Sequence, residues 1–203
     1  MKQQAIFIHG GEAFSKYDDF LEYLRTQEIS NPLEKNKPQR WYRNLDVALQ
    51  DSHEVYQPEM PNAENAKYIE WKIWFERYLS FIGKEVTLIG HSQGAYFLAK
   101  YFVENKLPCT VRGLFLVAAP FEKADFGLED GGDFNFDTTK LENIAQQVKN
   151  IHIFHSKDDF VVPYEHALKF KVGLPEATLH TFEDRNHFLQ ETFPELIEEI
   201  KKV

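Results

Sequence analysis

The chain has 203 residues, 43% of them hydrophobic, enough for a full core and most simply for one domain over residues 1–203. A formal net charge of -9 argues against a nucleic-acid partner, and the lone Cys109 excludes both an internal disulfide and a thiolate zinc site, which fits a reducing, cytoplasmic location. The apolar run before His9 is too short for a signal-peptide core and GLFLVAAPF is too short to span a bilayer, so a soluble protein without a membrane partner is expected.

In chain order, short β-rich segments alternate with longer stretches of helical spacing. Strands are predicted over residues 5–10 (AIFIHG), 54–58 (EVYQP), 85–90 (EVTLIG), 112–120 (RGLFLVAAP), 150–156 (NIHIFHS) and 177–183 (ATLHTFE). Helices are predicted over residues 14–27, 65–82, 92–105, 138–149, 164–172 and 193–203. Within residues 65–82, Tyr68, Trp71, Trp74 or Phe75, and Tyr78 fall on one stripe, the spacing of a helix packed on a sheet. Two segments fit neither pattern and read as surface excursions. These are residues 30–51, whose Lys35, Lys37, Arg40 and Arg43 form a basic patch read as a solvated loop, and residues 121–137. Near-continuous apolar strands between amphipathic helices predict a mostly parallel α/β sheet of about six strands, covered on both faces, with no large cap domain.

The pentapeptide GHSQG, residues 90–94, joins the predicted strand EVTLIG to the following helix with no residue to spare. A serine on such a turn has its oxygen held clear of the sheet, and glycines two places to either side avoid side-chain clashes. Ser92 is therefore the candidate nucleophile, and Gln93 N–H, at the helix start, a candidate oxyanion donor. The second donor is expected from the loop FIHGGEAF after the first strand, through the N–H of Gly11 or of Glu12, with His9 bracing that loop.

A serine hydroxyl needs a base, and the base an orienting acid. Among eight histidines, His152 and His180 lie within strands and His166 on a helix, while the position of His91 aims its side chain away from that of Ser92. His152 and His155, three apart on one strand, face opposite sides and are no local metal pair. His187, in EDRNHF between the last strand and the last helix, is the candidate base. The acid should come between serine and histidine in the chain. HSKDDFVVP offers Asp158 and Asp159, adjacent acids that cannot both face one imidazole, with Asp125 a weaker alternative.

HGG after the first strand, QPEMPN before a Trp-containing helix, GHSQG, FLVAAPF, HSKDDFVVP and NHFL together resemble the small serine hydrolases related to retinoblastoma-binding protein 9 and bacterial YdeN, within the α/β-hydrolase superfamily. The resemblance covers nearly the whole chain. It implies that the acid is the aspartate four residues before the proline of the HSKDD turn, here Asp159 before Pro163. Two departures stand out: Asn186 occupies the place where a glycine usually precedes the histidine, and residues 30–51 are longer than in the family. The expected activity is hydrolysis of a carboxylic ester or related acyl bond of a small-molecule substrate, favouring short acyl groups, with no metal or organic cofactor. Phe14, Phe121, Phe126, Phe160 and Phe188 are candidate linings of the acyl pocket. The alternative is a protein-binding module on a hydrolase scaffold, with residues 30–51, which carry Trp41 and Tyr42 among basic residues, as its natural contact surface.

Overall fold

The computed structural model describes residues 2–29, 39–122 and 129–203, so that Lys35, Lys37, Asp125 and Phe126 lie outside the described residues. All six predicted strands are present: β1 (Gln3–Ile8), β2 (His53–Tyr56), β3 (Glu85–His91), β4 (Thr110–Val117), β5 (Ile151–Ser156) and β6 (Thr178–Phe182). Every pairing is parallel, in the order β2-β1-β3-β4-β5-β6. The sheet grows one way from β1 to β2 and the other way from β3 to β6. That reversal opens a crevice at the carboxyl ends of β1 and β3, where ligands bind in open α/β sheets.

The strands alternate strictly between two cores. Ile6 and Ile8 of β1, Val86 and Leu88 of β3, and Leu114 and Leu116 of β4 join one cluster; Ala5, Phe7, Ile89, Phe115 and Val117 join the other. The first layer of helices is α3 (Tyr68–Tyr78), α4 (Gln93–Glu104), α5 (Glu142–Gln147) and α6 (Glu165–Gly173). Of the aromatic stripe on α3, Tyr68, Trp71 and Phe75 are buried, as the spacing predicted. The second layer is α2 (Leu45–Leu49) and α7 (Pro194–Ile200). A further helix, α1 (Tyr17–Thr26), has no buried residue. No helix among the described residues is long and apolar enough to cross a membrane, and no separate cap domain stands over the sheet among them.

One expectation is corrected here. Residues 30–51 are not wholly a surface excursion, because a 3-10 turn at Trp41–Asn44 leads directly into α2. Trp41, Leu45 and Leu49 recur every fourth residue and are buried in the second core. Burying such side chains stabilises by about 1.5–3 kcal/mol each, which outweighs the weak helix propensity of the flanking polar residues.

Candidate active site

Ser92 sits between the end of β3 and the start of α4 with φ 52° and ψ -121°, a backbone strain that its surroundings enforce. Its N–H donates to Val117 O across the sheet at 2.8 Å. Both flanking glycines are required by close approach. A Cβ on Gly94 would lie 2.1 Å from Ile8 O, and one on Gly90 would lie 2.6 Å from the Ala95 backbone. The turn thus presses directly against the end of β1, and Gly10 brings its backbone close to the Ser92 side chain, a Cβ there falling 3.3 Å from Ser92 Cβ.

The loop after β1 is braced by His9, as expected: its Nε2 accepts from Met60 N–H at 2.8 Å and its Nδ1 donates to Gly10 O at 2.6 Å. Of the two oxyanion donors considered on this loop, Glu12 is ruled out, because its N–H is engaged by Ala63 O at 2.7 Å. Gly11 N–H takes no acceptor among the described residues. Gln93 opens α4, so its N–H has no partner within the helix.

His187 and Asp159 come together from the loops after β6 and β5. His187 Nδ1 donates to Asp159 Oδ2 at 2.9 Å and lies 3.1 Å from Oδ1, with both residues buried. Asp159 Oδ1 also accepts from the N–H groups of Val161 and Val162, each at 2.9 Å. Ser92 and His187 line one cavity of about 550 Å³ with Gln93, Gly11 and His91. Asp158 faces elsewhere. It accepts from Ser156 Oγ and from Asn186 N–H, so it ties its own turn to the His187 loop, and the Ser156 hydroxyl holds its carboxyl below the usual range. Asn186 itself adopts φ 54°, the left-handed region a glycine would occupy and the one that Asn tolerates best among other residues.

Four contributors escaped the sequence. His91 lines the same cavity as Ser92: its Nε2 donates to His187 O at 3.0 Å, and its ring lies 5.1 Å from that of His187. Burial, with the His187 ring beside it, pushes the His91 imidazole down to about 3, so it remains a neutral donor. His155 donates from Nε2 to Val162 O at 2.8 Å and lies 3.6 Å from Asp159 Oδ2, the oxygen that also faces His187; burial holds it below the usual histidine range. Trp41 donates from Nε1 to Phe188 O at 3.0 Å, and the Arg40 guanidinium donates to Leu189 O. Of the two aromatics in that segment, Trp41 is buried and Tyr42 is half-buried, stacked on Phe7 at 5.6 Å between ring centres.

The predicted phenylalanine lining is also corrected. Phe14, Phe121 and Phe188 are buried in the body of the protein, Phe160 is 71% exposed, and none of the four borders the cavity. Its walls include Tyr23, Tyr42, Tyr96 and Val162, and Gln27 just beyond α1. Glu12 and Glu129 also face it, and burial together with a hydrogen bond to Glu12 raises the Glu129 carboxyl to about 9.

No curated protein matches the chain by sequence. Among solved structures, the ydeN gene product of B. subtilis aligns with a TM-score of 0.76 at 19% identity, over 99% of this chain and 98% of that one. A putative YdeN-like hydrolase from Pectobacterium atrosepticum aligns with a TM-score of 0.67 at 16% identity, over 98% and 90%. Est1E from Butyrivibrio proteoclasticus, solved with ferulic acid bound, aligns with a TM-score of 0.61 at 14% identity, over 98% and 87%. These likenesses establish the α/β-hydrolase fold that the sequence motifs implied. A GxSxG turn is a local feature, whereas the serine hydrolase family model matches residues 29–194, from the last residues before the Trp41 segment to the first of α7, and on that match the chain belongs to the serine hydrolase family.

Proposed function

We propose that this serine hydrolase cleaves a carboxylic ester or related acyl bond of a small molecule through Ser92, His187 and Asp159. The observation that carries the reading is the juxtaposition of a strained Ser92 with a buried His187–Asp159 pair on one cavity. Ser92 Oγ attacks the acyl carbonyl carbon while His187 Nε2 takes its proton; Asp159 keeps the other proton on Nδ1 and stabilises the imidazolium. The carbonyl oxygen, now an oxyanion, is held by Gln93 N–H and Gly11 N–H. Collapse breaks the bond to the alcohol, which leaves with the proton from His187. A water deprotonated by the same nitrogen then attacks the acyl-enzyme and releases the acid.

A cavity of about 550 Å³ suits a ligand of modest size, and its walls mix tyrosines with carboxyl groups instead of forming a long apolar groove. That favours short acyl chains, of about C2 to C6, over lipids. The test is labelling with a fluorophosphonate, followed by intact mass and peptide mapping. One adduct on Ser92, absent from Ser92→Ala, is expected; undiminished labelling of that variant would overturn the assignment.

A further inference from the structure

We propose that His152, His180 and Glu199 form a binding site for a zinc-type divalent ion, separate from the Ser92 cavity. The three side chains come from β5, β6 and α7, and their ligand atoms lie within 4.8 Å of one another. None of them borders the cavity that holds Ser92 and His187. Strand register explains the meeting: Phe154 pairs with His180, and His152, two residues before Phe154, projects from the same face toward α7.

The geometry is close to that of a metal site. His152 Nδ1 lies 3.1 Å from His180 Nε2 and 3.9 Å from Glu199 Oε2. Ligands about 2.0–2.2 Å from a tetrahedral zinc ion are separated by about 3.3–3.5 Å, so shifts of a few tenths of an ångström bring all three into range. The imidazoles are held in place: His152 stacks on Phe115 at 4.7 Å between ring centres and His180 on Phe154 at 4.1 Å. Lys202 donates to Glu199 Oε1 at 2.6 Å, leaving Oε2 to face the rings. Such an outer partner fixes a ligating carboxylate. Two imidazole nitrogens and one carboxylate oxygen form a borderline donor set suited to Zn²⁺ or Co²⁺ and poorly suited to Mg²⁺ or Ca²⁺. The His152 and Glu199 side chains are 12% and 23% exposed, which admits an ion and a water as fourth ligand. Once bound, the ion would tie β6 to α7, the two elements flanking the segment that carries His187.

The competing account of the 3.1 Å contact is one neutral imidazole donating to the other, and metal titration separates the two. Chelator-treated full-length protein is titrated with Co²⁺, followed by its visible absorption, then with Zn²⁺, and its melting temperature is recorded with and without Zn²⁺. One equivalent of Co²⁺, displaced by Zn²⁺, and a rise in melting temperature are expected. Glu199→Gln and His180→Asn should each weaken binding at least about tenfold, while His187→Asn leaves it unchanged. Glu199 is partly exposed, so its variant decides the matter should His180→Asn not fold. Absence of stoichiometric binding at about 100 μM ion, binding that survives Glu199→Gln, or binding lost in His187→Asn would each overturn the site.

Discussion

Replacing Asp159 with asparagine tests the proposed chemistry at its most constrained atom. Asp159 Oδ1 accepts from two backbone N–H groups, those of Val161 and Val162, and Oδ2 faces His187 Nδ1. In Asp159→Asn the amide oxygen stays with the two N–H groups, because turning the NH2 toward them would leave both without an acceptor. Each buried orphan costs about 1–3 kcal/mol, so the flipped amide lies about 2–6 kcal/mol higher. The favoured orientation makes the amide donate to His187 Nδ1. That puts the ring proton on Nε2, the atom that must accept the proton of Ser92. Only the flipped fraction remains competent, so kcat/KM for a short nitrophenyl ester should fall by about 30-fold to about 10⁴-fold. Circular dichroism should show a retained fold. Asp158→Asn keeps an oxygen for Asn186 N–H and should lower the melting temperature by a few degrees at most while sparing most of the turnover. A folded Asp159→Asn variant within about threefold of wild-type turnover would refute the reasoning, as would a larger loss in Asp158→Asn.

Gly94→Ala should abolish soluble, folded protein, since its Cβ would sit 2.1 Å from the carbonyl oxygen of Ile8, a backbone atom that cannot yield; expression and thermal melting check this. Trp41→Phe keeps a ring in the second core but strips the donor from Phe188 O. It should cost about 1–3 kcal/mol, lowering the melting temperature by about 2–10 °C, and should reduce turnover through the His187 loop. Glu129, raised from 4.5 to about 9, binds its proton more tightly folded than unfolded, so its contribution to stability falls as pH rises from about 4.5 through about 9. Glu129→Gln should therefore melt increasingly above wild type from pH 5 to pH 9, and a constant difference across that range would exclude the shift.

The elements legible in the sequence are those governed by a strict local rule. Residues two apart on a strand share a face, and the alternation of Ile6 and Ile8 with Ala5 and Phe7 can be read directly from the order of the residues. Boundaries slipped where burial gives no signal: Gln3 and Gln4 belong to β1 because they pair with β2, the edge strand, although neither is apolar. The Trp41–Leu45–Leu49 stripe was legible as helical spacing, but the prolines and basic residues around it read as loop. The nucleophile turn and the histidine loop were accessible because chemistry restricts both their residue types and their places along the chain. Residues alone left Asp158 and Asp159 equivalent, since their separation depends on which carboxylate meets Val161 and Val162 N–H. His91 and Trp41 escaped because they act on the backbone of a loop 96 and 147 residues away, respectively, and no local pattern encodes such a distance.

Those remote contacts explain how a loop with Asn186 and Phe188 at positive φ keeps its shape. Asn186 and Phe188 both adopt positive φ, at 54° and 53°, a conformation that costs a residue such as phenylalanine about 1–3 kcal/mol. Along the same stretch, from Arg185 to Gln190, each residue has a backbone group held. Arg185 N–H donates to Ser156 Oγ, Asn186 N–H to Asp158, and the carbonyls of His187, Phe188 and Leu189 accept from His91, Trp41 and Arg40. Gln190 O completes the series by accepting from Trp41 N–H at 3.0 Å. Six bonds worth about 0.5–1.5 kcal/mol each are enough to offset that strain. Three of the six come from Arg40 and Trp41, on the stretch leading into α2. That stretch supplies from outside the loop part of the restraint that holds Asn186 and Phe188 in their left-handed turns, and with them the imidazole between.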